Sequence, residues 1–180
     1  MATRSSAAVA EPQDRVLVIE RIFDAPRELV FKCFTEPEHM EWMQPKGFTS
    51  RLIAYDFRPG GTLRLHMRGP DGQDHWQIGV FREIVPPERI VRTFCWTDAD
   101  GIPTLPETLL TLTFTPLGGK TRVTLHQAVF DSPYACDQHR EGWISSLDGL
   151  DEYLATLQEA AAATSWRPGQ LSNAIGTDKG

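Results

Sequence analysis

The sequence predicts an α+β domain, in which a curved antiparallel sheet of seven strands packs around one long amphipathic helix. Between positions 136 and 161, apolar residues recur at alternating steps of four and three, which is the spacing of one helix face. These residues are Trp143, Leu147, Leu150, Leu154, Leu157 and Ala161. The chain before them consists mostly of β-rich segments joined by short turns, which favours antiparallel pairing. A sheet with one apolar face and such a helix bury each other as two layers.

Two short helices are expected directly after the first strand. The strand at 16–23 is broken by Asp24-Ala25-Pro26, and proline fits the first turn of a helix over 26–34. A second short helix follows to about Met43, and Thr35 with Glu38 is interpreted as its capping box.

The remaining strands follow one another along the chain with short connections. Alternating or β-rich segments predict strands at 49–57, 62–68, 75–85, 89–96 and 108–115, and a last strand after Gly118-Gly119. Two glycines form a two-residue hairpin turn. The turn pairs Phe114 with Val123, Leu112 with Leu125 and Leu110 with Gln127, so that the apolar faces coincide apart from Gln127.

Composition limits the domain organisation and the partners. Residues 15–162 are expected to form the domain, with a disordered tail at 1–14 and a flexible tail at 163–180, in which Trp166 is the residue that argues against flexibility. The net charge of −6, with mixed signs, predicts no nucleic-acid partner, and no apolar run is long enough for membrane insertion. Three widely spaced cysteines and no secretory signal indicate free thiols and a cytoplasmic location.

Five motifs along the chain resemble a known family. They are Phe23-Asp24-Ala25-Pro26-Arg27-Glu28-Leu29-Val30-Phe31, Phe34-Thr35-Glu36-Pro37-Glu38-His39, Asp56-Phe57-Arg58-Pro59-Gly60-Gly61, Pro86-Pro87-Glu88-Arg89-Ile90-Val91 and His139-Arg140-Glu141-Gly142-Trp143. In this order they resemble the START-like helix-grip superfamily (SRPBCC), in the branch similar to the activator of heat-shock-protein-90 ATPase. The resemblance covers about residues 16–157 and implies the helix-grip fold. The chain has Met43 where the branch often has a second Trp, and Gln127 where it often has His.

A sheet that grips a helix leaves a cavity wherever side chains do not fill the space. Apolar cavities with a few polar groups are typical ligand sites, and the expected binding residues are large side chains near the predicted interface. They are Trp42, Met43, Phe48, Leu63, Leu65, Met67, Trp76, Phe94, Trp96, His139, Trp143 and Leu147. The alternative is that these side chains simply fill the core.

Few polar residues are candidates for ligand contact, proton transfer or metal binding. His139 is the expected polar group inside the cavity, either as a ligand contact or proton shuttle, or as a hydrogen-bonded structural residue. His66 and His75 could face each other on the outer face of a hairpin, but no metal site, cofactor or catalytic residue is predicted. Gly142 is interpreted as a position where the helix approaches the sheet closely or bends.

The expected function is binding of a small hydrophobic molecule, as a carrier or sensor. Two alternatives follow from the resemblance. One is a co-chaperone-like module that stimulates a chaperone ATPase, and the other is an enzyme of the cyclase or dehydratase type, for which His139 is the only clear acid–base group. The protein is expected to be a monomer or a weak dimer.

Overall fold

The computed structural model describes residues 12–165 and has the predicted order of elements. The strands are β1 (Leu17–Phe23), β2 (Thr49–Tyr55), β3 (Thr62–Arg68), β4 (Asp74–Val85), β5 (Arg89–Thr97), β6 (Thr108–Leu117) and β7 (Lys120–Ala128). The helices are α1 (Arg27–Thr35) and α2 (Pro133–Ser165), with short 3-10 helices at Gln13–Arg15 and Pro37–Met43.

The seven strands form one antiparallel sheet in the order β1-β7-β6-β5-β4-β3-β2. Strands β1 and β2, which are neighbours in the sequence, therefore lie at opposite edges. Helix α1 and the 3-10 helix at Pro37–Met43 cross from one edge to the other. The predicted fold class is confirmed: the sheet curves around the long C-terminal helix, and the short helices follow the first strand.

Helix α2 is held by the apolar stripe that the sequence shows. Leu147, Leu150 and Leu154 are almost completely buried in the core, whereas Leu157 is only partly buried and Ala161 is exposed. Beside the stripe, Arg21 of β1 donates a 2.5 Å hydrogen bond to Asp148. The middle of the helix therefore provides most of its packing, while its last turns extend beyond the sheet.

The β6–β7 hairpin has the predicted register. Phe114 pairs with Val123, Leu112 with Leu125 and Leu110 with Gln127. Gly118 and Gly119 both have positive φ, as a two-residue turn that matches the twist of the strands requires.

Two local predictions need correction. Thr35 does not cap the second helix, because α1 extends to this residue and its hydroxyl donates to the Phe31 carbonyl one turn earlier. The second helix is of the 3-10 type and has no side-chain cap. At the ends of the domain, Gln13–Arg15 forms a 3-10 turn and α2 continues to Ser165. The rest of both predicted tails, including Trp166, lies outside the described residues.

Neither α2 nor any other helix between residues 12 and 165 combines the length and the apolar character needed to cross a membrane.

Truncation of the central stripe should destabilise the domain strongly. Leu150 is fully buried, so Leu150→Ala is expected to lower the free energy of unfolding by about 2–5 kcal/mol. Urea denaturation followed by circular dichroism measures this change. The matched control is Ile144→Ala on the exposed side of α2, with an expected change below about 1 kcal/mol. Equal losses in both variants would contradict the assignment of the packed face.

Candidate functional site

A cavity of about 450 Å³ lies between strands β3–β5 and the first half of α2. Its wall on the sheet side comes from Met67, His75, Gln77, Phe94 and Trp96. The last residue of the second 3-10 helix, Met43, and the loop residues Pro45 and Leu105 add to it. The segment leading into α2 and the helix itself contribute Asp131, Ser132, Tyr134, Ala135, Gln138, His139, Gly142, Trp143 and Ser146. The volume lies within the range of small-molecule sites.

Near its start, α2 brings two small residues, Ala135 and Gly142, to the cavity beside the larger His139 and Trp143. A Cβ atom at Gly142 would meet only Pro45 Cγ, at 4.0 Å, so open space adjoins this glycine. The interpretation of Gly142 as a close approach between helix and sheet is therefore wrong. Further along α2, Leu147 and Leu150 fill the corresponding space.

Six of the twelve residues predicted for the cavity line it. They are Met43, Met67, Phe94, Trp96, His139 and Trp143. Phe94 is the centre of the aromatic wall, because its ring packs edge-to-face against Trp96 at 5.2 Å and against His139 at 5.4 Å, and Trp143 is 6.4 Å away.

Five of the other six residues are parts of the packed domain. Leu63, Leu65 and Leu147 are core residues, as the alternative interpretation expected. Trp42 is also buried, and its indole N–H donates to the Cys33 carbonyl at 2.9 Å. Phe48 lies along a separate groove beside Lys46 and Tyr153, although its ring contacts His75 at 5.8 Å.

The prediction that Trp76 lines the cavity is wrong. Its side chain is on the outer face, where the ring packs on His66 at 4.3 Å and beneath the Arg64 guanidinium at 5.2 Å. Since side chains alternate along a strand, its neighbours His75 and Gln77 point inward instead.

His75 faces the cavity because the β3–β4 connection is longer than a two-residue turn. A two-residue loop would place His75 opposite His66, but Arg68 pairs with Asp74, so His75 lies opposite Met67 and shares its inward face. The prediction that His66 and His75 face each other outside the sheet is wrong. The backbone N–H of Gly69 donates to the Gln73 carbonyl, and the glycine and aspartate content of this segment was the available signal for a longer turn.

Both ring nitrogens of His139 are engaged within the protein. The Trp96 indole N–H donates to Nε2 at 2.8 Å, so Nδ1 carries the proton and donates to the Ala135 carbonyl at 2.8 Å. Burial lowers the pKa of His139, partly offset by the Ala135 hydrogen bond and by Asp131. His139 is therefore a neutral histidine that lines the cavity with its ring and has the structural hydrogen bonds of the second interpretation.

Gln127 is the polar exception on the inner face of β7, and it connects the cavity wall to the sheet. Trp143 donates its indole N–H to Gln127 Oε1 at 2.8 Å, and Gln127 Nε2 donates to Thr108 Oγ1 at 2.8 Å. The Thr108 hydroxyl donates in turn to the Phe94 carbonyl at 3.3 Å. This chain fixes the Trp143 ring without using any group of the cavity interior.

Arg92, a buried arginine of β5, lies next to the sheet side of the cavity wall. Arg92 is only 4% exposed, and its guanidinium carbon lies 5.4 Å from the centre of the Phe94 ring. Its Nη1 donates to the Thr93 carbonyl at 3.2 Å. With the Gln77 amide oxygen toward the guanidinium, Oε1 accepts from Nη1 at 2.8 Å and Nη2 at 3.1 Å. Burial lowers the pKa of Arg92 to about 10, so the side chain stays charged at neutral pH.

Glycine makes room for this arginine on the neighbouring strand. A Cβ atom at Gly79 would lie 2.8 Å from Arg92 Nη1 and 2.4 Å from the Thr93 carbonyl oxygen. Any side chain at this position would have to displace the guanidinium or the backbone of β5.

Within residues 12–165, no group of three or more His, Cys, Asp or Glu side chains is arranged to hold a metal ion. The three cysteines are buried free thiols, and burial raises the pKa of Cys33 to about 11, which disfavours the reactive thiolate.

A sheet that curves around a long C-terminal helix and encloses an apolar cavity defines a helix-grip protein. The comparisons agree: the family described as activator of Hsp90 ATPase homolog 1-like protein matches residues 24–155. The chain belongs to this family. No curated protein matches the sequence.

Solved structures of bacterial proteins have the same fold. A protein of Chromobacterium violaceum is 30% identical with a TM-score of 0.67, and the match covers 77% of this chain and 95% of that one. The Silicibacter pomeroyi protein with the same family name is 26% identical with a TM-score of 0.71, covering 78% and 98%. A protein of Arthrobacter aurescens, 24% identical with a TM-score of 0.73 and coverage of 84% and 93%, shares the fold.

The buried neutral state of His139 should make stability depend on pH. Because the pKa of His139 is below 6.5 in the folded protein, the unfolded chain binds more protons as the pH falls below about 6.5. The stabilising contribution is complete above about pH 6.5 and is lost as the pH falls toward the folded-state pKa. His139→Gln removes the titrating group and should reduce the slope of unfolding free energy between about pH 6.5 and 5.

Urea denaturation of both proteins at several pH values measures the two slopes. Their difference should approach, but not exceed, about 1.4 kcal/mol per pH unit, since one proton is involved. Identical slopes would show that His139 is not held neutral by the fold.

Proposed function

We propose that this protein binds a small, mainly apolar molecule in the cavity between β3–β5 and α2, as a carrier or sensor. The observation that carries the proposal is the cavity itself, about 450 Å³ in volume and walled by Met67, Phe94, Trp96 and Trp143. Aromatic and thioether side chains provide a polarisable surface that adapts to apolar ligands.

The cavity wall is held in shape before any ligand arrives. Trp96 is fixed by its hydrogen bond to His139, and Trp143 is fixed by its hydrogen bond to Gln127. A preformed site loses less conformational entropy on binding than a site that must be ordered by its ligand.

The entrance supports access from solvent. Tyr134 and Leu105 line the cavity and are 73% and 42% exposed, so they belong to its rim. Apolar side chains at the rim lower the cost of transferring an apolar molecule from water into the site.

The arrangement favours binding over catalysis. The cyclase or dehydratase interpretation depends on His139 as its acid–base group, but both ring nitrogens of His139 are engaged by Trp96 and Ala135. The family description includes activation of a chaperone ATPase, but no contact or surface among the described residues favours this activity for the present chain. The buried free thiols support a reducing, cytoplasmic location.

Filling the cavity from the helix side should abolish binding without unfolding the protein. The space beside Gly142 is open, so Gly142→Leu should place its side chain in the cavity. Binding of the fluorescent dye 1-anilinonaphthalene-8-sulfonate, followed by its emission, is expected to weaken at least about tenfold. Circular dichroism and thermal melting check that the fold is retained.

The control is Gly142→Ala at the same position. Alanine adds little volume and should stabilise α2 by about 0.5–1 kcal/mol while dye binding is retained. If the parent protein bound no dye, or if Gly142→Leu bound it as well as the parent, the proposed site would be wrong.

A further inference from the structure

We infer that the molecule bound in the cavity carries a hydrogen-bond acceptor oxygen of carbonyl or carboxylate type, which accepts a hydrogen bond from the side-chain amide of Gln77. This inference rests on the proposed function, because it defines the chemistry of the ligand in that same cavity.

Arg92 fixes the orientation of the Gln77 amide. A guanidinium group has only donors, and it faces the Gln77 amide across 2.8 and 3.1 Å, so the atom toward it must be Oε1. Turning the amide over would place its N–H₂ group against the N–H groups of Arg92. The amide therefore directs its N–H₂ group away from Arg92 in a fixed manner.

The Gln77 N–H₂ group is the donor left for a ligand. Gln77 lines the cavity although it is only 5% exposed. In this orientation both hydrogen bonds from Arg92 end on Oε1, and Nε2 lies on the side of the amide away from Arg92. A buried N–H donor without an acceptor is unfavourable, so a ligand oxygen that accepts from it gains affinity.

The positive charge of Arg92 next to the Gln77 amide favours an electron-rich acceptor on the ligand. No carboxylate of the described residues forms an ion pair with Arg92. Its protein partners are the Gln77 and Thr93 oxygens and the Phe94 ring. The positive charge polarises the Gln77 amide and strengthens its N–H as a donor, in surroundings where electrostatic interactions are weakly screened.

Other polar groups deeper in the cavity do not compete for this role. His139 uses both ring nitrogens, and the Ser146 hydroxyl donates to the Met43 carbonyl at 3.3 Å. Gln138 lines the cavity from an exposed position on α2. His75 also faces the cavity but is only half-buried, so Gln77 provides the fixed donor at the buried end, and the aromatic and thioether side chains favour an apolar body.

Two matched probes separate this inference from the proposed function. 2-Acetylnaphthalene has a carbonyl oxygen where 2-isopropenylnaphthalene has a CH₂ group, and the two molecules have nearly the same shape. Equilibrium dialysis measures the dissociation constant of each probe, and the ratio of the two constants gives the preference for the acceptor.

The decisive variant is Gln77→Glu. Glutamate keeps an oxygen for Arg92 and nearly the same shape, but it replaces the N–H₂ donor by a second acceptor. The preference for 2-acetylnaphthalene should fall by about tenfold, the effect of one lost hydrogen bond and a repulsive contact. The matched control is Gln73→Glu, the same change at an exposed position of the β3–β4 connection outside the cavity, which should leave the preference unaltered.

Gln77→Met serves as a second variant, because it removes the donor without adding charge and keeps the side-chain length. Circular dichroism identifies which variants fold. A fall in preference of about fivefold or more in a folded Gln77 variant, with Gln73→Glu unchanged, supports the inference. A smaller fall, with both probes bound by the parent protein, overturns the inference and leaves the proposed function standing. Failure of the parent protein to bind either probe overturns the proposed function and the inference with it.

Discussion

Packing between α2 and the concave face of the sheet is the constraint on which the rest of the structure depends. From Leu147 to Leu154 the helix carries leucines that fill the space above the sheet completely. Toward its start, Ala135 and Gly142 lie beside His139 and Trp143, and a cavity remains between the helix and the sheet. One continuous helix therefore packs against the stable core with its leucines and borders the cavity with the residues before them.

The polar groups around the cavity are arranged so that most of them satisfy one another. Gln127 joins Trp143 to Thr108, and His139 joins Trp96 to the backbone of α2. Each of these residues would be costly to bury alone. Their hydrogen bonds instead fix the rings of Trp96 and Trp143 in the cavity wall, so polar contacts determine the shape of an apolar surface.

Sequence patterns predicted the fold well because its signals are periodic. The three-and-four spacing of α2 and the glycine pair of the β6–β7 turn each allow one arrangement that buries apolar side chains. The cavity wall was harder to predict, since an error in one turn reverses the facing of a whole strand. The five-residue β3–β4 connection placed Trp76 outside and His75 and Gln77 inside. Size alone also could not distinguish Leu63 in the core from Met67 at the cavity.

Strand periodicity predicts that Arg92 points inward, but it does not predict that Gln77 is its partner. Arg92 lies two residues from both Ile90 and Phe94, and a charged side chain on an inward strand position is an informative anomaly. Its partner could not be deduced, because the pairing of Gln77 with β5 depends on the bulge between Phe81 and Glu83. The role of Gly79 can be seen only when β4 and β5 are aligned, because the guanidinium lies where a side chain at Gly79 would be. A buried charge, the amide that it orients and the glycine that admits it form one unit, and a unit of this kind becomes visible only when neighbouring strands are aligned.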